Sequence, residues 1–121
     1  MNEEKLWNDI KEMVEKRIND RDTMMETKAQ KKRFWLIKVM NNFIRVKRED
    51  SRLPYEDIPK TDFIAIWEDL NKAEYASTGY MQSDLHDGQN RHSAVSFALV
   101  GMLPYIKWEK VGRAWKLFLK D

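Results

Sequence analysis

The sequence predicts a mainly α-helical α+β fold: four to five helices closed by a C-terminal β-hairpin. Three observations predict it. Apolar residues recur at helical spacing through the N-terminal two thirds of the chain. Pro54, Pro59 and Pro104 cut that pattern into segments of helix length. Residues 105–119 alternate instead, about a Gly112-Arg113 pair. With 121 residues, 42% of them hydrophobic and five tryptophans, the chain is long and apolar enough for one packed domain over 1–121.

The elements follow in order. Leu6, Trp7, Ile10, Met13, Val14 and Ile18 share a helix face over roughly 3–20. Leu6 beside Trp7 gives that helix a two-sided character that a homodimer would use. Asp22 or Thr23 caps a second helix running to about Arg48. Its middle, Phe34 to Ile37, Val39-Met40 and Phe43-Ile44, is apolar over more than half its circumference, which makes it the central core helix. Residues 1–48 are thus two N-terminal helices. Glu49 to Lys60 is a connection. Residues 61–121 hold further helices and the hairpin. Thr61 caps a helix whose Phe63, Ile66, Trp67, Leu70 and Ala73 share a face. A short helix near Thr78–Leu85 leads to a turn at His86-Asp87-Gly88.

Ala94–Leu103 fits two patterns, since Val95, Phe97 and Leu99 alternate while Val95, Leu99 and Met102 lie on one helix face. Its length without a turn signal favours helix. The hairpin is the most legible element. Glycine first in a two-residue loop specifies a type II′ turn. That loop pairs Val111 with Ala114, Lys110 with Trp115, Glu109 with Lys116, Trp108 with Leu117 and Ile106 with Leu119. Ile106, Trp108, Trp115, Leu117 and Leu119 then share one face, and Glu109 opposes Lys116 on the other.

Composition excludes several classes. Without cysteine there are no disulfides and no thiolate chemistry. No stretch approaches the roughly eighteen apolar residues of a spanning helix, and Asn2-Glu3-Glu4 does not open a secretory signal; the expected compartment is the cytoplasm. Net charge is +2 but unevenly placed: residues 27–48 carry eight basic and no acidic groups, and residues 49–87 carry ten acidic and three basic. Such blocks either neutralise one another across the fold or present a field to a charged partner. Asp84, His86, Asp87 and His92 are the one cluster resembling a metal site. Their spacing matches no zinc pattern, and Asp and Gly are equally what a turn requires. Neither a nucleophile in an elbow context nor a phosphate loop accompanies them, so no enzyme activity, cofactor or metal is expected.

A short helix, a turn at Gly88, a helix with a polar start and a basic hairpin follow one another between about Thr78 and Leu119. In element order and residue type this stretch resembles a winged helix-turn-helix domain. The resemblance implies that Gln89, Asn90, Arg91, His92, Ser93 and Ser96 face base edges in the major groove. It further implies that Lys107, Lys110, Arg113 and Lys116 meet phosphate as a wing; the same lysines also suit ordinary solvated strand positions. Lys31 and Lys32 add to the basic surface, and Trp108 and Trp115 are among the aromatics able to stack unpaired bases.

The expected function is therefore a small DNA-binding protein, either a regulator or a replication accessory, acting through the 89–100 helix and the 105–119 hairpin. The alternative is a phage or mobile-element protein that binds and modulates a host protein, suggested by the high Trp and Met content and the separated charge blocks.

Overall fold

In the computed structural model, which describes residues 2–85 and 93–120, strands are spread through the chain. Helix α1 spans Glu3–Asn19. Four strands follow, β1 (Met24–Glu26), β2 (Arg33–Val39), β3 (Phe43–Arg48) and β4 (Glu56–Pro59). Then come α2 (Lys60–Leu70), α3 (Ala73–Thr78), a 3₁₀ turn at Gln82–Asp84 and α4 (Ser93–Val100). The hairpin strands β5 (Ile106–Val111) and β6 (Ala114–Leu119) come last. Strands β1 to β4 form one antiparallel meander, and β5 and β6 form a separate two-stranded sheet.

The expected mainly helical fold is thus overturned between Asp22 and Pro59. No second helix runs to Arg48, and Thr23 leads into β1, its carbonyl accepting from Leu36 N–H at 2.9 Å. The reason is local. Arg33–Val39 and Phe43–Arg48 are rich in β-branched and aromatic residues, which sit well on a pleated surface. Ile44 and Val46 are buried while Arg45 and Lys47 alternate with them on the other side, a period of two. Asn41-Asn42 supplies the reversal, closed by Met40 N–H to Phe43 O at 2.9 Å. Glu56–Pro59, expected as connection, extends the sheet as β4 by pairing along β3.

Met25, Phe34, Leu36, Ile44, Val46 and Ile58 form the inner face of the meander. Helix α1 packs against β2 with Leu6, Trp7, Ile10 and Val14. The Asn2 side chain caps it by accepting from Lys5 N–H at 2.8 Å. Leu6 and Trp7 are both buried in the chain's own core, with Trp7 Nε1 donating to Asn41 O at 2.9 Å. The two residues that give α1 its two-sided character are therefore spent on the chain's own core. The shared face expected for α2 is the buried one, Phe63, Ile66, Trp67 and Leu70. Ala73 instead starts the separate helix α3. The role of central helix falls to α4: Val95 to Val100 are all buried, as a helix apolar on every side must be.

The hairpin has the expected register at every pair, Val111–Ala114 to Ile106–Leu119. Gly112 has φ +64 and Arg113 is not in the left-handed region, which is the type II′ combination. Tyr80 adds a bridge to the outer edge of β6, exchanging 2.9 and 2.8 Å backbone hydrogen bonds with Leu117. Its ring is fully buried, stacked on Phe97 at 5.4 Å, and its hydroxyl donates to Asp69 Oδ2 at 2.8 Å. Tyr105 makes the matching link to α1, donating to Asp9 Oδ2 at 2.9 Å.

Burial first, and the neighbouring carboxylate second, hold both hydroxyls well above the ordinary tyrosine range. An unfolded tyrosine ionises near pH ~10, so this stability is complete below about pH 10 and drains as pH rises further. Tyr80→Phe is expected to lower stability at neutral pH by roughly 1.5–3 kcal/mol, because the charged acceptor loses its donor. The Tyr80→Phe, Tyr105→Phe double variant should then lose less than the wild type between neutral pH and pH ~11. Urea unfolding at both pH values measures this, and equal losses would refute the assignment.

Candidate nucleic-acid interface

The basic block at 27–48 meets the acidic block at 49–57 across the β2–β3–β4 ladder, and much of it is neutralised there. Arg45 forms a two-pronged pair with its cross-strand neighbour Asp57, at 2.7 and 3.1 Å. Arg48 donates twice to the buried Glu56, at 3.1 and 2.9 Å. Arg33 pairs with Glu49 at 3.1 Å. The Arg33 backbone N–H, more than its guanidinium, holds that carboxyl below the usual range. Lys47 is occupied by the carbonyls of Ser51 and Leu53, at 2.7 and 2.6 Å. What remains of the block in the β1–β2 loop is Lys28, Lys31 and Lys32. Among the described residues no ion pair reaches these three.

This loop is a tight reversal rather than a helix face. Thr27 N–H donates to Lys32 O at 2.9 Å, and Lys32 N–H returns to Thr27 Oγ1 at 3.1 Å. Lys31 sits in the left-handed region, φ 55. The turn aims Lys28 at the hairpin, where its ammonium lies 4.4 Å from the Trp115 ring and 5.8 Å from Trp108. Lys110 approaches Trp115 from its own strand at 5.9 Å. Two basic loops far apart in sequence are thereby held side by side.

Between them opens a half-enclosed cleft of about 500 Å³. Its walls are Thr27 to Gln30 on one side and Trp108, Arg113, Ala114 and Trp115 on the other. Met81, Gln82, Ser83, Ser93, Ala94 and Phe97 form the floor and one end. The Gln82 amide donates to Ser93 Oγ at 2.8 Å, tying the 3₁₀ turn to the start of α4.

The predicted contacts fare unequally. Gln89, Asn90, Arg91 and His92 lie outside the described residues. Ser93 borders the cleft, but Ser96 is fully buried in the core and has no part in any outward face. Where a helix was expected near Thr78–Leu85 there is one 3₁₀ turn, and α4 is enclosed rather than laid open for a groove. On the hairpin, Lys107 is turned to Glu109 at 3.7 Å. Lys116 donates to Thr78 O at 3.0 Å rather than closing on Glu109. Lys110 and Arg113 at the tip stay exposed, as do Lys31 and Lys32 in the other loop. Of the Asp84–His86–Asp87–His92 group, Asp84 accepts from Met81 N–H at 3.0 Å, and the other three lie outside the described residues.

Lys28, Gln82 and Phe97 were not among the predicted contacts. The sequence signal for Lys28 was its place in the uncompensated basic block; its seat on Trp115 depends on tertiary pairing alone. No helix among the described residues is long and apolar enough to cross a membrane. In comparison with known proteins, no family model, no curated protein and no solved structure matches this chain.

The cleft wall has one steric requirement. A Cβ on Gly101, just beyond α4, would overlap the Trp108 indole, with Cε2 only 2.6 Å away. Gly101→Ala is expected to displace Trp108 and cost about 1–3 kcal/mol as overpacking. Thermal denaturation measures the cost and near-ultraviolet circular dichroism the displaced indole; an unchanged spectrum and melting point would contradict this packing.

Proposed function

We propose that the chain binds nucleic acid, DNA in the first instance, as a small non-enzymatic protein of the cytoplasm, acting as a regulator or a replication accessory. The observation that carries this reading is the seat of Lys28 on Trp115. It brings the β1–β2 loop, which carries Lys28, Lys31 and Lys32, against the hairpin, which carries Lys110 and Arg113. Among the described residues no ion pair of the acidic middle reaches them, although Glu49 attracts Lys32 at longer range. Cations left free beside a half-buried tryptophan suit a phosphate backbone, since binding releases counterions from it. The contact surface differs from the one the sequence suggested: paired loops replace the buried face of α4.

A second reading, attachment to a protein partner, is supported by the opposite quality of the outer sheet surface. Met24, Ile37, Met40, Leu53 and Tyr55 are exposed around it, and its arginines are already paired. Apolar and aromatic side chains of this kind are typical of interface centres. Capture of a partner that survives nuclease treatment, and is lost on Ile37→Glu, would favour it over the first reading.

Fluorescence anisotropy with labelled oligonucleotides tests the nucleic-acid reading. Affinity should fall steeply between about 50 and 200 mM salt, the slope of log K against log salt concentration being about −0.7 to −0.9 per phosphate contacted. The Lys31→Glu, Lys32→Glu double variant and Arg113→Glu should each bind at least about tenfold more weakly at low salt. Their melting points should stay unchanged, because no ion pair is lost. Lys38→Glu, an exposed position near the other end of β2, should bind close to wild type. Absence of binding at low salt, or equal weakening by Lys38→Glu, would reject the interface.

A further inference from the structure

We infer that the cleft between the two basic loops takes a single unpaired nucleobase, so that the protein prefers single-stranded to duplex nucleic acid. The inference rests on the nucleic-acid reading above and adds the form of strand recognised.

The volume and lining suit a ring of this kind. A cleft of about 500 Å³ lies in the range of small-molecule sites, which combine apolar walls with few polar groups. Here the apolar walls are aromatic: Trp115 and Trp108 on the hairpin, with Phe97 below, its ring centre 6.5 Å from that of Trp108. Trp108 is fixed between Phe97 and the bare backbone of Gly101 and so forms a rigid platform. Trp115 is only half-buried, and its ring is covered by the ammonium of Lys28 rather than by packed core. A lysine ammonium on a flexible stem moves off a ring at little cost. A base taking that ring face leaves Lys28 free to meet the flanking phosphate, and Arg113 lies on the same wall to meet the other. Gln30 and Gln82 also line the cleft and carry amides that suit the edge of a base, the Gln82 N–H being shared with Ser93 Oγ.

A base inside a duplex cannot reach these walls, because both its faces are stacked and its edge is paired. The salt-dependent attraction of the two loops is indifferent to that distinction; the cleft is not. Preference for the single strand, and its dependence on a ring at position 115, therefore separate base recognition from plain charge attraction.

The test compares four probes of equal length by anisotropy at one low salt concentration: oligothymidine, oligouridine, a duplex, and an abasic strand carrying the same phosphates without bases. The wild type should bind the thymidine and uridine strands at least about tenfold more tightly than the abasic strand and the duplex. Trp115→Ala should remove most of that preference: because Lys28 loses its seat, the abasic strand also binds more weakly, but the thymidine and uridine strands should lose affinity by a clearly larger factor. Trp115→Phe, which keeps a ring, should restore much of it, and circular dichroism of both variants reports that the hairpin remains folded. Equal binding of all four probes by the wild type would overturn the base pocket and leave the phosphate interface standing. So would an equal loss of thymidine and abasic binding in Trp115→Ala. Failure of every probe to bind would overturn both.

Discussion

The constraint on which the structure depends is the need to cover α4 on every side. From Val95 to Val100 every residue is buried, so this short helix is not a surface element with one polar face. Helix α2 packs against it, Phe97 carries Tyr80 on one side and Trp108 nearby, and Met25 and Phe34 at one end of the meander belong to the same core. The hairpin could not stand alone in water. It is held because Trp108 packs beside Phe97, Leu117 belongs to the core, and Tyr80 bridges its outer edge. The position of the basic tip is therefore a consequence of core packing.

The same constraint explains why the two basic loops meet. The meander places its β1–β2 reversal at the end of the sheet nearest α4, where Met25 and Lys28 flank Ala98, Gly101 and Trp108. Lys28 on that loop finds two indole faces and settles on the rings, although Glu26 lines the same hollow. The arginines of β2 and β3, by contrast, lie directly across from or diagonal to the acids of the following segment and are consumed in ladder pairs. Opposed blocks of charge in sequence thus become partial neutralisation in space. Of the cations left over, Lys28, Lys31 and Lys32 share the β1–β2 loop, while Lys38 stands apart near the other end of β2.

How much of this was legible in the sequence differs by element. Helix α1, the buried face of α2 and the whole register of the hairpin follow from local periodicity and turn chemistry, because their signals are short-range and point one way. The meander was not legible in the same manner. Phe34 to Val39 is apolar almost without interruption, and such a run has no period of its own with which to choose between strand and helix. The deciding signals were weaker: Asn41-Asn42 as a reversal, Ile44 and Val46 alternating with Arg45 and Lys47, and Pro54 and Pro59 bounding a strand. As a long helix that run claims the central position and leaves α4 on the surface with Ser96 outward; as a strand it leaves the centre to α4, and Ser96 is buried.

The candidate site shows where sequence reasoning reaches its limit. Lys110, Arg113, Trp108 and Trp115 lie on a hairpin whose register fixes which side each occupies, so their availability was predictable from the strand alternation. That Lys107 and Lys116 are engaged was not, since Lys116 is taken by the carbonyl of Thr78, a partner from another element. Lys28 is the sharper case. Nothing near it in the chain marks it out from Lys31 or Lys32, yet the left-handed turn at Lys31 and the pairing of Thr27 with Lys32 send it across to Trp115. Composition tells how many cations a chain carries; only the topology of the sheet decides which are neutralised by their own ladder and which are left facing a tryptophan. A surface formed that way needs no dedicated recognition helix. Two short, well-tied loops hold charge and ring at fixed separation, and the stiffness of their turns does the positioning that the enclosed helix α4 has no free face to do.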